Sequence, residues 1–257
     1  MSDELTIEAV SLRFGGIQAL DEVTMSVATG ELRALVGPNG AGKSSLFNCV
    51  GGLYRPTSGR IVHRGRDITA RRPHAIARLG VGRTFQNLAV VDDLSVLDNV
   101  ALGGHLCARP RGWTLGSTLR LPRTVAAERR LLARAWQLLE RFGLLDVARE
   151  RAAALPFGTL KRVELARALM PEPSLLLVDE PAGGLTQVEV FELGDLLRAI
   201  CRESGTTVLL VEHHMGLVAR IADRVAVLDA GRVIALGRPE EVLQDAAVVA
   251  AYLGGTP

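Results

Sequence analysis

No apolar run in this 257-residue sequence reaches the roughly 20 residues that a membrane-spanning helix needs. Runs such as Leu175 to Val178 and Val208 to Val211 are strand-sized and stop at acids. Hydrophobic residues still make up 48% of the chain, and mean hydropathy is +0.22, so the apolar content is expected in a core. Met1 to Glu8 lack a basic segment ahead of an apolar one, so a secretory signal peptide is not expected there. Cysteine is scarce: Cys49, Cys107 and Cys201 are scattered and odd in number, which excludes a disulfide framework and a zinc site. They read as small buried hydrophobes in a reducing cytosol. Excess charge is also lacking. A net charge of +2 gives no sign of a dedicated nucleic-acid binder. Sustained heptads and internal repeats are absent, which argues against a long coiled coil. His63, His74 and His105 lie apart without ligand spacing and read as surface residues.

The length suggests one or two domains with a sizeable core. Thr6 to Phe14 and Val23 to Val27 alternate patchily between glycines, as half-buried antiparallel strands do. Leu32 to Val36 is a short apolar run feeding a Gly-rich loop, and Ser44 to Val50 reads as a helix. Residues 92 to 170 are mostly helical in pattern, apart from a Gly-, Pro- and Arg-rich loop over 103 to 123. Beyond Pro173, strands and helices alternate: Leu175 to Asp179, Gln187 to Glu203, Thr206 to Glu212, His214 to Ile221 and Arg224 to Leu228. Such alternation predicts a parallel sheet covered by helices. The fold expected is therefore one α/β core with a helical insertion at 90 to 160.

Two motifs carry chemistry. Gly37-Pro38-Asn39-Gly40-Ala41-Gly42-Lys43-Ser44-Ser45 fits the P-loop pattern, with a strand before it and a helix after it. Its glycines let backbone N–H groups wrap phosphate oxygens, and the helix adds the positive end of its dipole. Lys43 is expected to reach the β- and γ-phosphates of ATP, and Ser44 to ligate Mg²⁺. Leu175-Leu-Leu-Val-Asp179-Glu180 is a buried-strand pattern ending in two acids. Ligands of open α/β sheets gather at the carboxyl ends of strands. Asp179 is thus expected to hold Mg²⁺ through water, and Glu180 to orient the water that attacks the γ-phosphate.

With those motifs placed, the chain resembles, over nearly its whole length, the ATP-binding subunits of ABC transporters. The resemblance implies a P-loop (RecA-like) α/β core over 1–89 and 161–257, an N-terminal antiparallel β subdomain, and an inserted α-helical subdomain at about 90–160. It implies further site residues. Phe14, 29 residues before Lys43, stands where the family places an aromatic that stacks on adenine, and an ordinary core role is the alternative. Thr84-Phe85-Gln86-Asn87 resembles the Q-loop, whose glutamine contacts Mg²⁺ and the attacking water; the bland alternative is a capped loop residue. Glu212-His213 resembles the switch histidine that hydrogen-bonds the γ-phosphate. Leu155 to Leu169 occupies the place of the signature loop and its helix, and Gly183-Gly-Leu-Thr186 that of the D-loop. The implied partners are transmembrane permease subunits, a second ATP-binding subunit (a copy or a paralogue) packed head to tail, and indirectly a periplasmic or extracellular binding protein. The implied location is the cytoplasmic face of the membrane.

The chain departs from the family at its signature and at its D-loop. The family signature Leu-Ser-Gly-Gly-Gln is here Leu155-Pro156-Phe157-Gly158-Thr159. Pro156 has neither a hydroxyl nor a backbone N–H. Gly158 remains available to a partner's nucleotide in trans, at the positive end of the helix that follows. Thr186 stands where an aspartate is common. These departures predict a slow site where this signature is used, and they keep open a hydrolysis-weak regulatory subunit. Gly40 to Asn48, the long loop between Gly103 and Arg134, Val211 to Met215 and the tail Ala251 to Gly255 resemble branched-chain amino acid importers, with urea and short-chain amide importers as close relatives. Between Gly103 and Ala135 lie seven arginines against one acid, Glu128. That run is either a solvated face or a contact for acidic headgroups or the membrane subunit. DNA-repair and translation ATPases of the family fit poorly, for want of a coiled coil and of a second cassette.

Overall fold

The computed structural model describes residues 2–84, 89–104 and 122–253. It divides into two compact units, Met1–Arg83 with Ser174–Pro257, and Thr84–Pro173.

The first unit holds two sheets. β1 (Asp3–Phe14) and β2 (Ile17–Ala28) form an antiparallel hairpin. Its register shifts between Ile7 and Val10 and again between Val10 and Leu12, which is why the apolar alternation in the sequence is patchy. β1 also pairs with β4 (Ser58–His63), which carries the short β5 (Arg66–Asp67), giving the order β2-β1-β4-β5. The larger sheet has the order β10-β9-β3-β8-β7-β6. It is built from β3 (Leu32–Val36), β6 (Val81–Arg83), β7 (Leu175–Asp179), β8 (Thr207–Val211), β9 (Arg224–Asp229) and β10 (Arg232–Gly237). Five strands are parallel, and β10 is an antiparallel edge.

The side-chain period of two explains the continuous apolar runs of the central strands. Leu35, Ala226 and Leu228 face one core, shared with the smaller sheet and with Leu46 and Phe47 of α1 (Lys43–Val50). Ala34, Val36, Val225 and Val227 face the other, packing on Val218, Val242 and Val248. These come from α7 (Met215–Ile221), α8 (Pro239–Val242) and α9 (Ala246–Leu253). A sheet buried on both faces leaves no polar side to the strand. The unit also contains α2 (Pro73–Ala77) and α6 (Gln187–Ser204).

The second unit is helical: α3 (Val96–Leu102), α4 (Pro122–Arg141), a 3-10 turn (Ala152–Ala154) and α5 (Phe157–Leu169). On α4, Ala135, Leu138 and Leu139 are buried while Leu132 and Trp136 are exposed. Asn99 of α3, fully buried, ties the entry loop: its Nδ2 donates to Val91 O at 2.9 Å and its Oδ1 accepts from Val91 N at 2.8 Å. α5 is included in this unit because it packs on α3 and α4, so the division falls at Pro173–Ser174, beyond the residue 160 expected from pattern.

Cys49 and Cys201 are buried, and burial pushes each thiol up to about 12, in keeping with the role of small hydrophobes. His63 corrects its surface assignment. It is 1% exposed, its Nε2 lies 3.0 Å from Glu4 Oε1, and Ser174 Oγ is 3.2 Å away. It ends β4 on the inward side, opposite Leu5, a placement that spacing alone does not reveal. His74 is exposed, as expected. His105 and Cys107 lie outside the described residues. Among those described, no helix is long and apolar enough to cross a membrane.

Candidate nucleotide-binding site

Register brings the predicted motifs to one sheet edge. Leu35 of β3 pairs with Val211 of β8, and Val211 with Asp179 of β7. The P-loop, the Asp179-Glu180 pair and Glu212-His213 therefore all leave the sheet at the carboxyl ends of adjacent parallel strands, where ligands of such sheets bind.

The P-loop needs glycine at both ends. Gly37 has φ +149°, and a Cβ there would meet Leu228 O at 2.1 Å. Gly42, the residue before α1, has φ +101°, and a Cβ would meet Ala19 O at 2.6 Å. Both are positions that only glycine fills without displacing backbone. Between them Pro38, Asn39 and Gly40 arch outward, and Ala41 is buried. Lys43 is 7% exposed and folds back over the loop, donating from Nζ to Gly37 O at 2.7 Å and Pro38 O at 2.9 Å. Burial lowers the pKa of its ammonium, and the charge of Glu180 opposes that shift. Ser44 is exposed and Ser45 half-buried in the first turn of α1, which has no acid to compete with a bound anion.

Asp179 is 4% exposed at the end of β7. Arg83 stands beside it, with Nη2 3.8 Å from Asp179 Oδ2 and 2.7 Å from Asn48 Oδ1, and its guanidinium over the Phe47 ring at 4.7 Å. Arg83 thus links the acidic strand end to α1. Sequence reading did not single it out, because its partners are far away in the chain. Glu180 takes φ +43°, a left-handed conformation uncommon for a residue with a side chain. Its N–H is fixed by Val211 O at 2.9 Å. Backbone strain of this kind gathers at functional sites.

His213 is 61% exposed at the side chain, just past β8. Glu212 before it is fully buried. Phe14 ends β1 with 46% of its surface exposed and meets Tyr54 edge-on, ring centroids 5.2 Å apart. The Phe14 ring therefore has open surface, which a core residue would not. Tyr252 of the tail lies against Gly37: burial raises its pKa, and a hydrogen bond from the Gly37 backbone opposes that. Gln86, Phe85 and Asn87 lie outside the described residues.

In the helical unit, Pro156 is the residue before α5, and no side chain caps that helix. Gly158 and Thr159 fall in its first turn, half-buried, while Phe157 is 44% exposed. Thr186, in the first unit, caps α6 in a reciprocal box: Glu189 Oε2 accepts from Thr186 N at 2.8 Å, and Thr186 Oγ1 accepts from Glu189 N at 3.4 Å. The pattern Thr186-x-x-Glu189 is the sequence signal for that box.

A P-loop after a buried strand, an acidic strand end and a histidine turn on one edge of a parallel sheet define an ATP-binding cassette. A sequence model of the ABC transporter family matches residues 20–183, and one described as branched-chain amino acid ATP-binding cassette transporter matches residues 232–256. The chain belongs to the ABC transporter family, and it is an ATP-hydrolysing nucleotide-binding subunit with the P-loop fold.

Among individual relatives, it is 38% identical over 250 residues to the high-affinity branched-chain amino acid transport ATP-binding protein LivG of Salmonella typhimurium strain LT2, covering 97% of each chain. Among solved structures it matches the ADP conformation of an ATP-binding cassette of an ABC transporter, with TM-score 0.86 and 31% identity over 99% of this chain and 100% of that one. It also matches a dimeric post-hydrolysis cassette bound to ADP and Pi, with TM-score 0.74 and 25% identity over 91% of this chain and 98% of that one.

Proposed function

We propose that this chain energises the import of branched-chain or other small amino acids, hydrolysing ATP to drive permease subunits at the cytoplasmic face of the membrane. The observation that carries the reading is the row Leu35–Val211–Asp179, which supports a single catalytic edge. The amino acid assignment rests on the relatives and on the match at residues 232–256.

Each group has a part. The backbone N–H groups of Gly37 to Ser45 and the Lys43 ammonium hold the phosphates. Lys43 then exchanges its two loop carbonyls for phosphate oxygens. Phe14 stacks on the adenine. Glu180 orients and polarises the attacking water, and His213 holds the γ-phosphate. Gln86, outside the described residues, is proposed to act with them as a further oxygen donor to Mg²⁺ and the attacking water. The Ser44 hydroxyl and the buried Asp179 carboxylate are hard oxygen donors of the kind Mg²⁺ takes, so they fit that ion. Bound there, Mg²⁺ would neutralise charge developing on the phosphoryl oxygens.

The dimeric relative supports a second ATP-binding subunit as partner, a paralogue or a copy, with Gly158 presented in trans. An extracytoplasmic binding protein would deliver the solute. Pro156 supports a slow site wherever this chain's signature is lent to a partner, while Glu180 and His213 support hydrolysis at the chain's own P-loop.

The test is reconstitution of the chain with its permeases in vesicles. ATP hydrolysis and leucine accumulation are both expected, and both should vanish with Glu180→Gln. Hydrolysis that persists in Glu180→Gln would overturn the assignment of the base. Accumulation of urea in place of leucine would overturn the solute.

A further inference from the structure

We propose that Glu212 is a positioning residue for hydrolysis, holding the turn that carries Glu180 and the turn that carries His213 in fixed relation. The inference rests on the roles proposed above for those two residues.

Glu212 is the first residue beyond β8, the strand between the P-loop strand and the acidic strand, and its side chain is fully buried. Its carboxylate accepts three backbone hydrogen bonds. Oε1 takes the N–H of Ala182 at 2.8 Å, two residues past Glu180. Oε2 takes the N–H of His213 at 3.0 Å and that of His214 at 3.1 Å. One carboxyl group thus joins two loops that are 30 residues apart in sequence.

Burying a carboxylate is costly, and three N–H donors offset that cost only while both oxygens remain acceptors. Ionised acceptors make hydrogen bonds roughly twice as strong as neutral ones. A glutamine at 212 would turn an NH₂ toward either Ala182 N–H or the His213–His214 pair, donor against donor. An aspartate would keep the charge but fall one methylene short of spanning the gap. Glu212 therefore fixes the two turns to each other, and through them Glu180 and His213. Misplacement of reacting groups by about 1 Å costs around 10²-fold in rate. Nucleotide binding, which rests on the P-loop, does not depend on this clasp.

The experiment is a double-mutant cycle in the full chain assembled with its permeases, following release of labelled phosphate from γ-labelled ATP. Glu212→Gln should lower kcat about 10- to 100-fold with KM for ATP changed less than about threefold. On a His213→Ala background the same substitution should cost clearly less than in the unaltered chain, because one of the two groups it positions is gone. An equal cost in both backgrounds, or a loss of ATP affinity matching the loss of rate, would overturn the proposal. If Glu212→Gln does not fold, Glu212→Asp carries the same cycle with the same expectations and the same overturning results. Glu180→Gln runs alongside as a control. Undiminished hydrolysis there would count against the proposed catalytic roles, separately from the clasp.

Discussion

The P-loop and the signature segment, one in each unit of the chain, are both glycine-containing turns that open a helix, yet they are built to different standards. At the P-loop Gly37, Gly42 and Lys43 each have a visible physical reason. Gly37 and Gly42 pass within reach of neighbouring carbonyls, Lys43 is held on two loop oxygens, and α1 begins with no competing acid. At the signature, α5 begins after a proline with no side-chain cap, and an exposed Phe157 stands next to the glycine. On the roles proposed above, what the chain uses on its own nucleotide is well formed at the P-loop, and what it would lend to a partner's is reduced. A cassette of this kind can bind tightly and still depend on another subunit's signature for speed.

Four measurements would break or sharpen that contrast. The largest effect is expected at Lys43: replacing it with alanine should cut ATP hydrolysis by about 10³-fold, since an aimed donor on developing charge is removed. Steady-state phosphate release checks it, and a loss below tenfold would remove the P-loop's claim to completeness. Next is Pro156→Ser, which supplies a hydroxyl and a backbone N–H. A charge-assisted hydrogen bond is worth about 1.5–3 kcal/mol, so turnover of the assembled dimer should rise about tenfold. Unchanged turnover would show that the signature is not reduced. Phe14→Ala should raise KM for ATP about fivefold with kcat unchanged, because base–aromatic stacking contributes about 1–3 kcal/mol.

The smallest effect is one of pH on the nucleotide-binding unit. His63 has its pKa lowered, chiefly by burial, against the opposing pull of Glu4. A histidine that resists protonation when folded takes protons more readily when unfolded. Its contribution is therefore complete above the ordinary value of 6.5 and is lost as pH falls from there through the folded pKa. Urea unfolding at stepped pH should show that decline, and His63→Gln should flatten it. The P-loop amides should lose exchange protection in the same range, and those of Asn99 in the other unit should not.

Legibility in the sequence followed the range of the interactions. The P-loop reads directly because glycine geometry and the flanking strand and helix are local. The buried strands of the large sheet read as apolar runs for the same reason. β4 and β10 did not, because their inward residues are few: β4 buries only Ile61 and His63. Missing β4 is also what left His63 on the surface. The C-terminal limit of the helical unit is not legible in one segment, because it depends on the packing of α5 on α3 and α4. Arg83 is not legible because Asn48 lies 35 residues away, and Glu212 reads only as the residue before a histidine because Ala182 lies 30 residues away. Thr186 was legible and was still read only as a departure from a family pattern, when its spacing to Glu189 spells a cap.

That cap makes positions 186 and 189 dependent on each other. An aspartate at 186, the residue common in the family, would set a second carboxylate where the threonine hydroxyl now lies 2.7 Å from Glu189 Oε2. Like charges so placed repel and would loosen the first turn of α6. An aspartate at 186 is therefore expected to be better accommodated when Glu189 is changed with it, to glutamine for instance. A single helix end thus couples two positions that a family pattern would treat separately.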